Sequence, residues 1–273
     1  MRGGGLLPAA VLALGACSPA QDVAADNAAA NVAATRFADR MAGAPPPAPP
    51  AEPFEEEEKT DFLEFAYAYP AQAAAIPFLV DKFGKEAASS KADALKMARE
   101  DSASAKRSGY PFRPHSLETR WTVAADTPRF LSLQSQTYVY TGGAHGMTGY
   151  DGLLWDKARK RETSIKAVMT TPAAFAAAIR DRFCAELDNQ RAEKRGAPVV
   201  RGDDDFTECI DPMEQLLVPA SKDGNLIDAV VVVIGPYSAG PYAEGSYEVR
   251  LPVDAAMRGA IKTEYQDGFV VAR

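Results

Sequence analysis

The segment RFLSLQSQTYVY, residues 129–140, alternates its side chains in a way that only a strand can use. Leu131, Leu133 and Val139 fall on one face, and Gln134, Gln136 and Tyr138 on the other, because successive side chains of an extended chain point to opposite sides. One apolar face and one wetted face is the pattern of antiparallel sheet. The turn signal Asp126-Thr127-Pro128 precedes it, and LETRWTVAA, 117–125, precedes the turn, so a pair of strands is expected here. TDFLEFAYAYP repeats the pattern, with Leu63, Phe65, Tyr67 and Tyr69 on its apolar face and Pro70 as its end.

The remaining elements mix the two periodicities. Residues 71–87 and 91–107 predict helices, the second apolar at Ala94, Leu95, Ala98 and Ala105 and stopped by Gly109 and Pro111. GLLWD (152–156) and ETSIKAVM (162–169), joined by the basic turn Lys157–Arg161, predict a hairpin. Thr171-Pro172 has the form of an N-cap followed by Pro at the first helical position. The helix then runs from about Pro172 to Lys194 and buries Phe175, Ile179, Phe183 and Leu187. LIDAVVVVIG (226–235) predicts a central strand buried on both faces; SYEVRLPV (246–253) is the next strand, and 254–264 the last helix. The order lacks regular βαβ alternation. The expected class is α+β, a mostly antiparallel sheet packed against a few helices.

The first residues point outside the cytosol. MRGGGLLPAAVLALGACSPA has Arg2 and then an apolar run from Leu6 to Leu14, too short for the roughly 20 residues that span a bilayer but suited to a signal-peptide core. Leu14-Gly15-Ala16-Cys17 resembles the lipobox of bacterial lipoproteins. That resemblance implies a signal peptide at 1–16, cleavage before Cys17, and lipid on the Cys17 sulfur as membrane anchor. Acyl chains contribute roughly 0.8 kcal/mol per buried methylene. Ser18, by resemblance to Gram-negative lipoproteins, favours the outer membrane, with the body facing the periplasm. Residues 17–58 read as a tether: PPPAPPAEP at 46–54 is stiff and extended, and Glu55–Glu58 form a solvated acidic boundary before a body beginning near Lys59. With lipid on Cys17, Cys184 and Cys209 remain, either as free thiols or as a disulfide closing a loop of about 26 residues and contributing roughly 3 kcal/mol.

Three motifs carry a family resemblance. Tyr140-Thr141-Gly142-Gly143-Ala144-His145-Gly146 comes first. LLWDKARKRETSIKAVMTTPAAFAAAI follows, and IGPYSAGPYAEGSYEVRLP, with Pro-Tyr pairs at 236–237 and 241–242, closes the series. In this order they resemble the extracytoplasmic module shared by RsiV-type anti-sigma factors and PdaC-type peptidoglycan deacetylases. The resemblance is strongest from Tyr138 to Pro252, and divides the body into portions 59–140 and 141–273. It implies binding rather than catalysis, with lysozyme-like muramidases or peptidoglycan as partners. The chain shows no cytoplasmic sigma-binding segment and no deacetylase catalytic domain, so neither parent activity carries over.

The residues themselves agree with a binding reading. The net charge is −7 and no basic stripe appears, so nucleic acid is not an expected partner. No G-x-S-x-G elbow is present, no His/Cys/carboxylate set has zinc spacing, and Asp203-Asp204-Asp205 lacks calcium-loop spacing. No catalytic residue, metal or cofactor is assigned. A cell-wall enzyme built on two of the 37 acids is the third reading. Gly142, Gly143 and Gly146 mark a tight connection. His145 reads either as a structural imidazole or as a partner contact, and His115 as a loop residue. Tyr237 and Tyr242 either pack on the sheet or serve as aromatic anchors or sugar platforms. The candidate binding residues are therefore Gly143, His145, Tyr237 and Tyr242.

Overall fold

A computed structural model of the protein describes residues 50–202 and 206–272. The signal peptide, Cys17, the tether up to residue 49, and Asp203, Asp204 and Asp205 lie outside the described residues.

The fold begins earlier than Lys59. Phe54–Lys59 is strand β1, antiparallel to β2, Leu63–Tyr69. This corrects the reading of Glu55–Glu58 as a boundary ahead of the fold, although Glu55, Glu57 and Glu58 are exposed as expected. Their alternation splits the charge between two faces: Glu56 and Glu58 meet Lys91 on one side, and Glu55 lies 3.3 Å from Arg120 on the other. A charged edge strand also resists pairing with other chains.

After a short helix α1, Ala71–Ala74, a single helix α2 runs from Pro77 to Ser108. The two expected helices are thus one of 32 residues. Ser89 and Ser90 do not interrupt it, because their hydroxyls donate back to the Glu86 and Ala87 carbonyls at 3.2 Å. Gly109, at φ 74°, ends it as expected. The helix carries the chain to β3, His115–Asp126, which pairs parallel to β2. β4 (Phe130–Tyr140), β5 (Met147–Asp156) and β6 (Arg161–Thr163) follow antiparallel, giving one six-stranded sheet in chain order. The expected hairpin at 152–169 is only half strand. Ser164 accepts a hydrogen bond from the Ala167 amide at 3.1 Å and starts helix α3, Ile165–Val168.

Helix α4, Pro172–Arg195, has the expected Thr171 cap, with the Ala174 amide donating to its hydroxyl at 3.0 Å. β7 (Leu216–Ala220), β8 (Ala229–Ile234) and β9 (Tyr247–Pro252) form a second antiparallel sheet with β8 in the middle. The expected last helix is shorter: α5 spans Ala255–Gly259, and a 3-10 turn covers Thr263–Gly268. The fold is α+β and mostly antiparallel; β2–β3 is the parallel pair.

Two cores hold it together. Leu79, Phe83 and Ala87 of α2 pack on Phe65, Tyr67, Trp121, Leu133 and Leu153, which share one face of the six-stranded sheet. On the second sheet, Val230, Val232 and Val249 pack against Phe175, Ile179 and Phe183 of α4. Cys184 of α4 and Cys209 form a disulfide with Cα atoms 5.4 Å apart. β7 lies across β3, β4 and β5. The face of that sheet opposite α2, over β2 to β4, holds an open groove lined by polar side chains.

Candidate functional site

The β4–β5 hairpin closes through Thr141–Gly146. Gly142 and Gly143 have φ of 101° and 88°, a region closed to most side chains. The Tyr140 hydroxyl donates to the Gly143 carbonyl at 3.3 Å. The turn delivers His145 to the loop of the two Pro-Tyr pairs. The His145 ring stacks on Tyr242 with centroids 3.7 Å apart and planes at 17°, and Tyr237 lies 5.6 Å from Tyr242. Tyr242 Oη donates to the Gly146 carbonyl at 2.9 Å, and His145 Nδ1 lies 2.9 Å from the same oxygen. A carbonyl only accepts, so Nδ1 carries the proton and Nε2 presents its lone pair to Tyr237 Oη, 3.5 Å away. His145 is therefore both a structural imidazole and an exposed one, and Tyr237 is 49% exposed. Gly143 borders a neighbouring cavity with Tyr110 and His115 and does not enter the ring cluster.

Gly146 is needed for a different reason. A Cβ there would sit 2.4 Å from the Tyr138 ring. Gly146→Ala should cost about 1–2 kcal/mol, read by urea denaturation, as the Tyr138 ring is pushed aside. A change under a few tenths would show that the ring moves freely. Tyr138 also lines the open sheet face, where a groove of about 320 Å³ holds Glu118, Arg120, Gln134 and Gln136, with Glu55 and Glu248 at its margins. Gln134 Nε2 donates to Glu248 Oε1 at 3.2 Å. Tyr138 thus lines the acid-bordered groove and packs at Gly146, the residue after His145 of the ring cluster.

The Pro-Tyr loop is held from behind by the last turns of α4. Arg191 Nε donates to the Ala239 carbonyl at 2.9 Å, and Lys194 Nζ to the Glu244 and Ser246 carbonyls at 2.7 and 2.6 Å. Arg195 forks onto the Glu244 carboxylate at 2.8 and 3.0 Å. Burial opposes the Glu244 charge, but the hydrogen bonds from Arg195 and Tyr247 outweigh it and hold the carboxyl below its ordinary range. Burial first, and then the Glu244 carboxylate, push Tyr247 up to about 12. These residues were not signalled as functional by the sequence; RAEKR reads as the basic end of a helix.

His115 corrects its loop reading. It begins β3, is 3% exposed, and has Nε2 3.3 Å from Asp101 Oδ2 of α2. Among the described residues no group of three His, Cys, Asp or Glu is placed to hold a metal, and no helix is long and apolar enough to cross a membrane.

None of the curated proteins matches the chain. Among solved structures, a DUF3298 family protein from Pseudomonas aeruginosa is 15% identical, with a TM-score of 0.48 over 82% of this chain and 99% of its own. A member of the same family from Bacteroides fragilis is 17% identical, with a TM-score of 0.47 over 79% of this chain and 94% of its own. The family model described as "Deacetylase PdaC" matches residues 56–148. That span is β1 to the start of β5, mostly ahead of the Tyr138–Pro252 region where the motifs are densest. Over residues 56–148 the chain is thus similar to the PdaC domain family.

Proposed function

We propose that this protein is a non-catalytic binding module of the cell envelope, held to the outer membrane by a lipid on Cys17, and that its partner is a basic, lysozyme-like muramidase. One observation carries the reading: the Gly-Gly-Ala-His-Gly turn and the Pro-Tyr loop, distant in sequence, meet as one braced aromatic cluster beside an open groove. Aromatic anchors presented on a rigid support favour binding because little freedom is lost on contact. Glu55, Glu118 and Glu248 around the groove, and the net charge of −7, complement a basic partner.

Immobilised protein should capture a basic lysozyme at low salt. Capture should weaken steadily as ionic strength rises toward about 1 M, where screening shortens to about 3 Å. No capture at low salt defeats the reading. Tyr237, half exposed, favours a second one, in which its ring stacks on a peptidoglycan sugar. Co-sedimentation with peptidoglycan that is indifferent to Tyr237→Ala removes that alternative.

A further inference from the structure

We propose that the Cys184–Cys209 disulfide controls the Pro-Tyr loop, with Arg191 as the positioning residue between them. The functional consequence rests on Tyr237 and Tyr242 belonging to the binding face, as above; the mechanical link does not.

The link is a chain of contacts one residue wide. Cys209 is joined to Cys184 on α4. The carbonyl of Glu208, the residue before it, accepts from Arg191 Nη1 at 2.9 Å. Nε of the same guanidinium donates to the Ala239 carbonyl at 2.9 Å, between the two Pro-Tyr pairs. Arg191 is fully buried, and its remaining nitrogen, Nη2, has no hydrogen-bond partner among the described residues. Among the described residues Asp188, at 3.2 Å, supplies its carboxylate partner, which it shares with Arg201. A buried guanidinium with an unmade hydrogen bond favours any change that lets water in. The segment ending at Cys209 supplies one of the two carbonyls that cover the guanidinium. Arg201 also clasps it, through the Thr207 carbonyl at 2.8 Å, but Arg201 is exposed, and that clasp competes with solvent.

Both cysteines are half-buried, so an attacking thiolate has a path to the bond. A small dithiol or a protein dithiol supplies two electrons and two protons. The S–S bond breaks, two S–H bonds form, and the reductant becomes the disulfide. Glu208 then leaves Arg191, the guanidinium hydrates, and the Ala239 carbonyl loses its 2.9 Å donor and keeps only the longer contact from Arg195 Nη2 at 3.5 Å. The loop carrying Tyr237 and Tyr242 loosens while the six-stranded sheet, which the bond does not touch, stays as it is.

Hydrogen exchange on the full-length protein tests this, with the bond intact and after reduction by dithiothreitol. Amides of 237–240 and 242–246 should exchange at least about ten times faster after reduction, with those of 117–123 in β3 unchanged. Arg191→Lys, a single ammonium that cannot span both carbonyls, should reproduce the acceleration with the bond intact. Unchanged loop exchange overturns the proposal. So does equal acceleration in β3, which would make the bond a support of the whole fold. If Arg191→Lys does not fold, the reduced wild type decides between these outcomes by itself. Faster loop exchange with lysozyme capture unaltered upholds the link and sinks the binding role of the tyrosines.

Discussion

Asp156→Ala is expected to lower the unfolding free energy by about 3–5 kcal/mol, the usual cost of breaking a buried ion pair from one side. In a body of this size that lowers the melting temperature by roughly 10 °C. Asp156 is fully buried at the end of β5. It accepts from Arg159 Nη1 at 3.0 Å, from the Arg159 amide at 3.0 Å and from Arg129 Nε at 3.2 Å. Both guanidiniums lie over the Tyr265 ring, at 4.6 Å for Arg159 and 5.5 Å for Arg129. Arg129 also reaches Asp267 at 2.8 Å. The carboxylate therefore ties the β4–β5 hairpin to the 3-10 turn near the C-terminus. Burial opposes its charge, but the hydrogen bonds from Arg159 and Arg129 outweigh burial and hold the carboxyl below its ordinary range. A lowered pKa means the folded state holds the proton less readily than the unfolded one. This stabilisation is complete above the ordinary carboxyl value of about 3.9 and is lost as pH falls through the lower folded value. Asp156→Asn cannot titrate, so part of the acid sensitivity should vanish with it. Urea denaturation from pH 7 to pH 3 reads both effects. An acid profile of Asp156→Asn parallel to wild type would remove the argument.

Much of the scaffold was legible because its signals are local. β4 announces itself by alternation, and α4 by Thr171, Pro172 and a stripe at Phe175, Ile179, Phe183 and Leu187 that is buried as expected. What escaped depends on distant partners. Glu55–Glu58 looks wet until Lys91 and Arg120 arrive to share its charge. LLVPA is strand only because β8 lies beside it, with Pro219 tolerated on a sheet edge. The site divides in the same way. The glycine turn and the Pro-Tyr pairs stand out in the sequence, but no local pattern says that His145 will stack on Tyr242. Arg191 is the sharpest miss, because arginine is rarely fully buried; only the two carbonyls that converge on it make its place intelligible.

Tyr242→Ala is expected to weaken capture of a basic lysozyme by about 30-fold or more, the loss of 2 kcal/mol that marks an interface anchor. Tyr242 supports both neighbours: its ring backs His145, and its hydroxyl fastens the Gly146 carbonyl. Removing it leaves His145 without its stack and the turn without its cross-link, so two contacts with a partner fail together. Tyr242→Phe separates these roles. It keeps the stack and loses one hydrogen bond, worth about 0.5–1.5 kcal/mol, so capture should fall only several-fold. Fold stability should change little in Tyr242→Phe, because the loop stays held by Arg191, Lys194 and Arg195. Glu118→Gln with Glu248→Gln should act differently, slowing association and flattening its salt dependence while leaving dissociation nearly unchanged. Surface-plasmon kinetics distinguish the two patterns. If Tyr242→Ala binds as wild type does, the stacked cluster is only a clasp for the hairpin, and the partner must be sought on another face. If the acidic pair alone matters, the contact is steering without an anchor, and affinity should collapse at physiological salt.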